Sequence, residues 1–178
     1  EMSKEQMTYK LMSMESGITE HSLRTGRLQK DEWPILGYAI NTLGTLPVSI
    51  NDERSITVDE IIEQCQKIKD QKKELGLVLI DYIQLMESPI YNSRDKEIAH
   101  ISRKLRAMAG DLDVPVIVIS QLKRRLESRT NKRPRLSDLR DSSGLEKYAD
   151  LVTMLYRDEY YDPDTEDQGI AELITCKH

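Results

Sequence analysis

An aspartate and a glutamine each follow an apolar segment of this chain, and both side chains suit phosphate chemistry. Asp81 ends the run "LVLID", and Ser120 and Gln121 end the run "VPVIVISQ". A carboxylate at the end of a buried strand can hold Mg²⁺ against nucleotide phosphates, directly or through water. A glutamine there can hydrogen-bond an attacking water or a terminal phosphate oxygen. The plainer alternatives are a turn cap for Asp81 and a surface turn residue for Gln121.

These side chains meet only if their two strands are neighbours with the same direction. Thr57 and Glu60 predict a capping box that opens an amphipathic helix reaching Leu75, and a second helix is predicted over 93–111. Continuous apolar strands separated by such helices indicate an α/β fold with a mainly parallel sheet flanked by helices. In such sheets, ligands bind outside the carboxyl ends of the strands. The predicted strands are 77–82, 114–122, 151–157 and 170–176.

Local signals predict three elements in the first third of the chain. Ser3 and Gln6 form the sequence pattern of a capping box, which predicts a helix over about 4–15. Asp31 is predicted to cap a second helix. The segment "LPVSIND", residues 46–52, is predicted to be a short strand.

Length and composition limit the class of protein. With 178 residues, the chain can form one domain with a sizeable core, and we expect residues 1–178 to be one domain cut at both ends. No apolar run approaches the roughly 20 residues that span a membrane. Cys65 and Cys176 belong to no motif, which favours a reducing cytosol over a disulfide scaffold.

A basic segment interrupts an otherwise acidic chain. Residues 123–140 hold eight Lys and Arg against two acids, whereas the whole chain carries a net charge of −5. Such a segment is often a solvated loop, but it can also bind nucleic-acid phosphates with little base preference. It contains no aromatic residue, so base stacking is not expected from it.

The chain has no GxxxxGK[ST] motif, the loop that cradles nucleotide phosphates. Two interpretations follow. Either that loop precedes Glu1 in a longer protein, or the chain is a non-enzymatic module that binds DNA or a partner and has a degenerate nucleotide site.

Several segments together resemble the RecA-like motor domain of bacterial and phage replicative helicases of the DnaB type. The resemblance covers essentially the whole chain, and its specificity lies in the combination of segments rather than in any one of them. The segments are, in order, "EMSKEQ", "LRTG", "DEW", "LGLVLIDYIQLM", "EIAHISRKLRAMAGDLDVPVIVISQLKRRLESRTNKRPRLSDLR", "YADLVTMLYRDEYY" and "IAELITCKH".

The resemblance implies a homo-hexameric ring that hydrolyses ATP with Mg²⁺ and moves on single-stranded DNA. It also implies a primase and a helicase loader as partners, and a place in the bacterial cytosol, encoded by the host or by a phage. A RecA-type recombination or repair ATPase is the related alternative. The "DYIQLM" and "SQL…KRP…SDLR" signatures favour the replicative helicase over it.

The resemblance also implies roles at the nucleotide site. Glu1 matches the catalytic glutamate that polarises the attacking water, and Asp81 matches the aspartate associated with Mg²⁺. Gln121 matches the glutamine that senses the γ-phosphate. Lys177 matches a lysine that reaches the neighbouring subunit's nucleotide site. Lys10 stands where the family often has an arginine, so a bidentate contact there would be lost.

The DNA-contacting loop of the family matches "LRDSSG". Arg140 is the expected side-chain contact, with the backbone of Asp141 to Ser143 near phosphates. The family commonly has Arg-Glu-Ser-Gly-Ser here, so the glycine of this chain, Gly144, is displaced by one position. Further contacts are expected from the basic segment on or near the central channel, namely Arg124, Arg125, Lys132 and Arg133.

Overall fold

The computed structural model describes residues 2–71, 74–88, 91–140 and 142–178, which form two compact units. The first unit ends at Arg54, and the second comprises Ser55–His178. The single-domain organisation expected from chain length stays a prediction. Within the described ranges, no helix combines the length and the apolar character needed to span a membrane.

The first unit consists of three helices: α1 Lys4–Ser16, α2 Glu20–Thr25 and α3 Glu32–Thr45. The predicted capping box of α1 is confirmed, since the backbone N–H of Gln6 donates to Ser3 Oγ and that of Ser3 donates to Gln6 Oε1. Helix α2 is not among the elements predicted from the sequence.

Two predictions for the first unit need correction. Asp31 occupies the cap position of α3, but its side chain makes no capping hydrogen bond. The predicted strand over 46–52 is wrong, because this segment forms no ladder and exposes 48% of Leu46 and 61% of Val48. Its acidic end binds helix α1 instead, since Asp52 accepts a hydrogen bond of 3.0 Å from the backbone of Lys4.

The helices of the second unit are α4 Val58–Asp70, α5 Arg94–Leu112 and α6 Ser142–Tyr148. The capping box of Thr57 and Glu60 is confirmed. The predicted extension of α4 to Leu75 is wrong. The helix ends at Asp70, because the residues beyond Ile68 are almost all polar and offer no apolar face to bury.

The described strands form two pairs. Strands β1 Val78–Ile80 and β2 Val116–Val118 are parallel, as predicted, and α5 connects them. Strands β3 Val152–Tyr156 and β4 Glu172–Lys177 are antiparallel, which the sequence analysis did not predict. The connection between β3 and β4 contains no crossover helix, and a parallel pair usually needs one.

The core of the second unit lies between helices α4 and α5 and the inner faces of the strands. Of the inward-facing positions that the sequence pattern predicts, those buried there are Val58, Ile61 and Cys65 of α4 and Ile98, Ile101, Leu105 and Met108 of α5. Ile62 and Ile68 are only half-buried. Strand β3 alternates buried and exposed residues, which is typical of a strand with one face on the core. The side chains exposed by less than 2% that fix this core include Ile83, Met86, Ile98, Ile101 and Met108.

Candidate nucleotide and nucleic-acid site

The parallel pair brings Asp81 and Gln121 to one edge of the sheet. Ile80 is opposite Val118, and the backbone N–H of Ile119 donates to Ile80 O at 2.9 Å. Continuing this register by one residue places Asp81 opposite Ile119. Asp81 is exposed at this edge, and Ser120 and Gln121 follow directly on the neighbouring strand. The edge therefore presents a carboxylate and an amide to solvent, with the half-buried Ser120 hydroxyl beside them.

Gln84, which was not among the predicted site residues, organises this edge. Gln84 lies in a 3₁₀ helix, Ile83–Leu85, that follows β1. Its side-chain Nε2 donates to Ser120 Oγ at 2.9 Å, and its Oε1 accepts from the backbone N–H of Gln121 at 3.3 Å. Gln84 Nε2 also donates to the backbone oxygen of Arg140 at 3.5 Å. The only sequence signal was a glutamine three positions after Asp81 in an apolar run.

Arg140 is in direct contact with Gln121. The Arg140 guanidinium donates to Gln121 Oε1 at 3.4 Å, and the Arg140 backbone N–H donates to Gln121 O at 3.1 Å. An isolated antiparallel bridge between Leu122 and Leu139 continues this pairing. The two residues that the sequence placed in separate sites, one for phosphate and one for DNA, therefore adjoin each other.

The basic segment is held by ion pairs of its own. Asp138 is 1% exposed and lies 2.9 Å from the Arg129 guanidinium. Arg133 donates to Glu172 Oε1 at 2.5 Å, which raises the pKa of Arg133, and its guanidinium lies 4.9 Å from the centre of the Tyr156 ring. Arg129 and Arg133 are thus partnered by carboxylates.

The other predicted DNA contacts of this segment differ in exposure. Arg124 and Arg125 are exposed in the 3₁₀ helix Arg124–Ser128. Lys132 is half-buried, and its ammonium donates to the backbone oxygen of Glu127. Arg124 and Arg125 therefore present charge to solvent more fully than Lys132 does.

Lys177 lies at the end of β4, where its ammonium binds the end of α6. It donates to the backbone oxygens of Glu146 and Ala149, both at 2.8 Å. A cation at this position interacts favourably with the helix dipole. Within the described chain, Lys177 therefore supports a helix that begins two residues after Arg140.

The remaining predicted residues lie in separate parts of the chain. Glu1 and Asp141 lie outside the described residues, and Ser143 is in α6. Lys10 is exposed on α1, in the first unit.

Gly144 is also in α6, against Ala99 of α5. A Cβ on Gly144 would lie 2.7 Å from Ala99 Cβ and 2.8 Å from the Ala99 backbone nitrogen. This glycine thus permits close helix packing and is not needed for a positive φ.

The donors at the strand-end edge suit magnesium bound together with a nucleotide. Within the described ranges, no group of three or more His, Cys, Asp or Glu side chains could hold a metal ion. Mg²⁺ keeps several waters and takes one or two carboxylates together with phosphate oxygens. Asp81 alone therefore fits an ion that arrives with phosphates, and does not fit a cage made only of protein ligands.

Solved structures define the class of protein. A DnaB-like replicative helicase, studied with its interactions with primase, aligns with a TM-score of 0.95 and 37% sequence identity. That match covers 100% of this chain and 43% of the helicase chain. A solved ATPase domain aligns with a TM-score of 0.95 and 38% identity, covering 100% of this chain and 64% of that chain. The predicted α/β, RecA-like fold is thus confirmed.

The chain belongs to the family described as DnaB-like helicase C terminal domain, whose model matches residues 1–178. The replicative DNA helicase DnaC of Bacillus subtilis (strain 168) is 41% identical over 179 residues. A probable replicative DNA helicase of Trieres chinensis is 44% identical over 182 residues. These matches cover 99% of this chain but only 39% and 40% of the relatives, so the chain spans about two fifths of their length.

Proposed function

We propose that this chain is the motor domain of a replicative DNA helicase. The complete protein would hydrolyse ATP with Mg²⁺, assemble as a homo-hexameric ring and move on single-stranded DNA to unwind the duplex. It would act in the bacterial cytosol with a primase and a helicase loader. The observation that carries the proposal is the contact between Gln121 and Arg140. It joins an edge suited to nucleotide phosphates to an exposed cation suited to a DNA backbone.

At the nucleotide edge, each residue would have a separate task. Asp81 would hold Mg²⁺ through a bound water, and the ion would neutralise phosphate charge. Gln121 would hydrogen-bond the γ-phosphate or the attacking water, and Glu1 would accept that water's proton as general base. Lys177 would have to exchange the backbone oxygens of Glu146 and Ala149 for a phosphate of the neighbouring subunit's nucleotide.

On the DNA side, Arg140 and the backbone of Asp141 to Ser143 would contact phosphates. Arg124 and Arg125 are exposed and could join them, and Lys132 could do so by releasing Glu127. Arg133 would share its guanidinium with Glu172, so we expect it to contribute less. Contacts of this kind bind the backbone without reading the sequence.

Steady-state ATP hydrolysis by the full-length protein, with and without single-stranded DNA at fixed low salt, tests the nucleotide assignment. Asp81→Ala should lower turnover by at least about 100-fold, because a metal ligand stabilises the transition state by several kcal/mol. Asp59→Ala is the matched control. Asp59 is an exposed carboxylate of α4 that pairs with Lys104 of α5. Normal turnover by Asp81→Ala would refute the metal assignment.

Single-strand binding at several salt concentrations tests the DNA assignment. Arg140→Ala should weaken binding about equally for all sequences and reduce the salt slope by about one phosphate contact. Arg103→Ala, an exposed arginine on α5, serves as the control. DNA binding without any hydrolysis by the unmodified protein would favour a non-enzymatic binding module instead.

A further inference from the structure

The Gln84 side chain contacts both halves of the candidate site, which also contact each other directly. One side-chain amide bonds three partners on two other segments of the chain: Ser120, Gln121 and Arg140. Arg140 in turn donates to Gln121 through both its backbone and its guanidinium. Gln84, Gln121 and Arg140 therefore form a closed triangle of hydrogen bonds, which we call the Gln84 triangle.

The chemistry of the Gln84 triangle demands an amide. The Gln121 backbone N–H needs an acceptor, and the Arg140 carbonyl needs a donor. A carboxylate offers acceptors only, an ammonium offers donors only, and an apolar side chain offers neither. Glutamine supplies one acceptor and two donors on a side chain long enough to reach both segments. The residue type is therefore set by its partners and not by the packing of an apolar run.

The base of the Gln84 side chain is fixed. The Arg94 guanidinium donates to the backbone oxygen of Gln84 at 2.9 Å and to that of Met86 at 3.1 Å. Arg94 is itself held by Glu97, at 2.5 Å. Beside Gln84, Ile83 is fully buried. The Gln84 backbone is therefore anchored on both sides. Because of this, the side-chain amide links the positions of Gln121 and Arg140, and a displacement of one residue acts on the other.

We infer that Gln84 is a positioning residue that couples the nucleotide edge to the DNA loop. This inference rests on the proposed function, and it assigns the coupling to one amide. A change in the position of Gln121 on contact with a terminal phosphate moves its backbone N–H and carbonyl, which Gln84 and Arg140 bind. Gln84 then holds Arg140 in the matching position. By thermodynamic linkage, DNA bound at Arg140 changes the nucleotide affinity by the same factor.

The test compares Gln84→Met with the unmodified full-length protein. Methionine keeps the length of the side chain but removes every hydrogen bond of the amide. Two ratios are measured: hydrolysis with and without single-stranded DNA, and DNA affinity with a non-hydrolysable ATP analogue and with ADP. We expect both ratios to fall by about five-fold or more, the lower end of typical coupling factors.

Controls separate coupling from a merely structural role. Gln66→Met is the matched control for Gln84→Met, because Gln66 is exposed on α4 and bonds only locally to Asp70 among the contacts described. Both ratios measured for Gln66→Met should equal those of the unmodified protein. Thermal unfolding and ring assembly are checked for each variant. If Gln84→Met does not assemble, Gln84→Glu gives the same readout, since it keeps the acceptor and the length but cannot donate to Arg140 O.

The outcomes separate this inference from the function on which it rests. A fall in both ratios, measured on a folded Gln84→Met hexamer, supports the coupling. Unchanged ratios, or equal losses with and without DNA, overturn it while leaving the helicase assignment intact. Absence of DNA-stimulated hydrolysis in the unmodified protein overturns the proposed function, and the coupling with it.

Discussion

Gly144→Ala should destabilise the protein, although alanine has a higher helix propensity than glycine. Gly144 lies in α6, and an added Cβ would approach Ala99 Cβ to 2.7 Å and the Ala99 nitrogen to 2.8 Å, with Ala99 Cα nearer still. Ordinary contact begins at 3.4 Å. The two helices would have to separate by more than the difference between 2.7 and 3.4 Å, because Ala99 Cα is nearer than its Cβ and, like the backbone nitrogen, cannot rotate away.

Two effects oppose each other, and their magnitudes decide the sign. Alanine is favoured over glycine inside a helix by about 1 kcal/mol. Forcing an extra methyl group into a packed interface costs about 1–3 kcal/mol, and a contact with backbone belongs at the upper end of that range. The expected net result is a loss of about 2 kcal/mol in the free energy of unfolding.

Urea unfolding of the full-length protein measures this loss, and hydrogen exchange of the α5 and α6 amides locates it. Gly110→Ala is the matched control: Gly110 lies in α5, and a Cβ there would meet nothing within 4 Å. That variant should gain up to about 1 kcal/mol. If Gly144→Ala proves as stable as Gly110→Ala, then the close approach of α6 to Ala99 is not a property of the folded protein, and the reasoning fails.

Two further predictions concern the basic segment and its surroundings. Asp138→Asn should cost about 2–3 kcal/mol of stability, because it removes the charge that a buried carboxylate offers Arg129; urea unfolding checks this against Asp59→Asn. The Tyr156 hydroxyl donates to Asp158, and this bond, with burial, raises the pKa of Tyr156 to about 12. The resulting stabilisation is complete below pH 10 and is lost as pH rises through about 12. Tyr156→Phe should abolish that pH dependence; an identical unfolding profile for both proteins would contradict it.

The sequence predicted those features that depend on neighbouring residues. Both capping boxes connect residues three positions apart, so Ser3–Gln6 and Thr57–Glu60 are visible as local patterns. The parallel pairing of β1 with β2 was also predictable, because an amphipathic helix connects two apolar runs. The placement of Asp81 and Gln121 at one edge followed from that pairing alone.

Features that depend on distant partners were not predictable in this way. The segment 46–52 has a suitable alternation of residues, but a strand needs a neighbour, and the sequence does not state whether one is present. Gln84 binds Ser120 across 36 positions, so nothing near Gln84 reveals its partner. The roles proposed for Glu1 and Lys177 rest only on the family resemblance, because each residue is chemically ordinary by itself.

The contacts of α6 have a mechanical consequence. Its seven residues make a rod about 10 Å long. The Arg140 loop leads into one end, Lys177 is tied to the other, and Gly144 rests on Ala99 in between. A helix this short moves as one body, so its two ends do not shift independently. A displacement at the Arg140 end is therefore also a displacement of the carbonyl end that Lys177 binds.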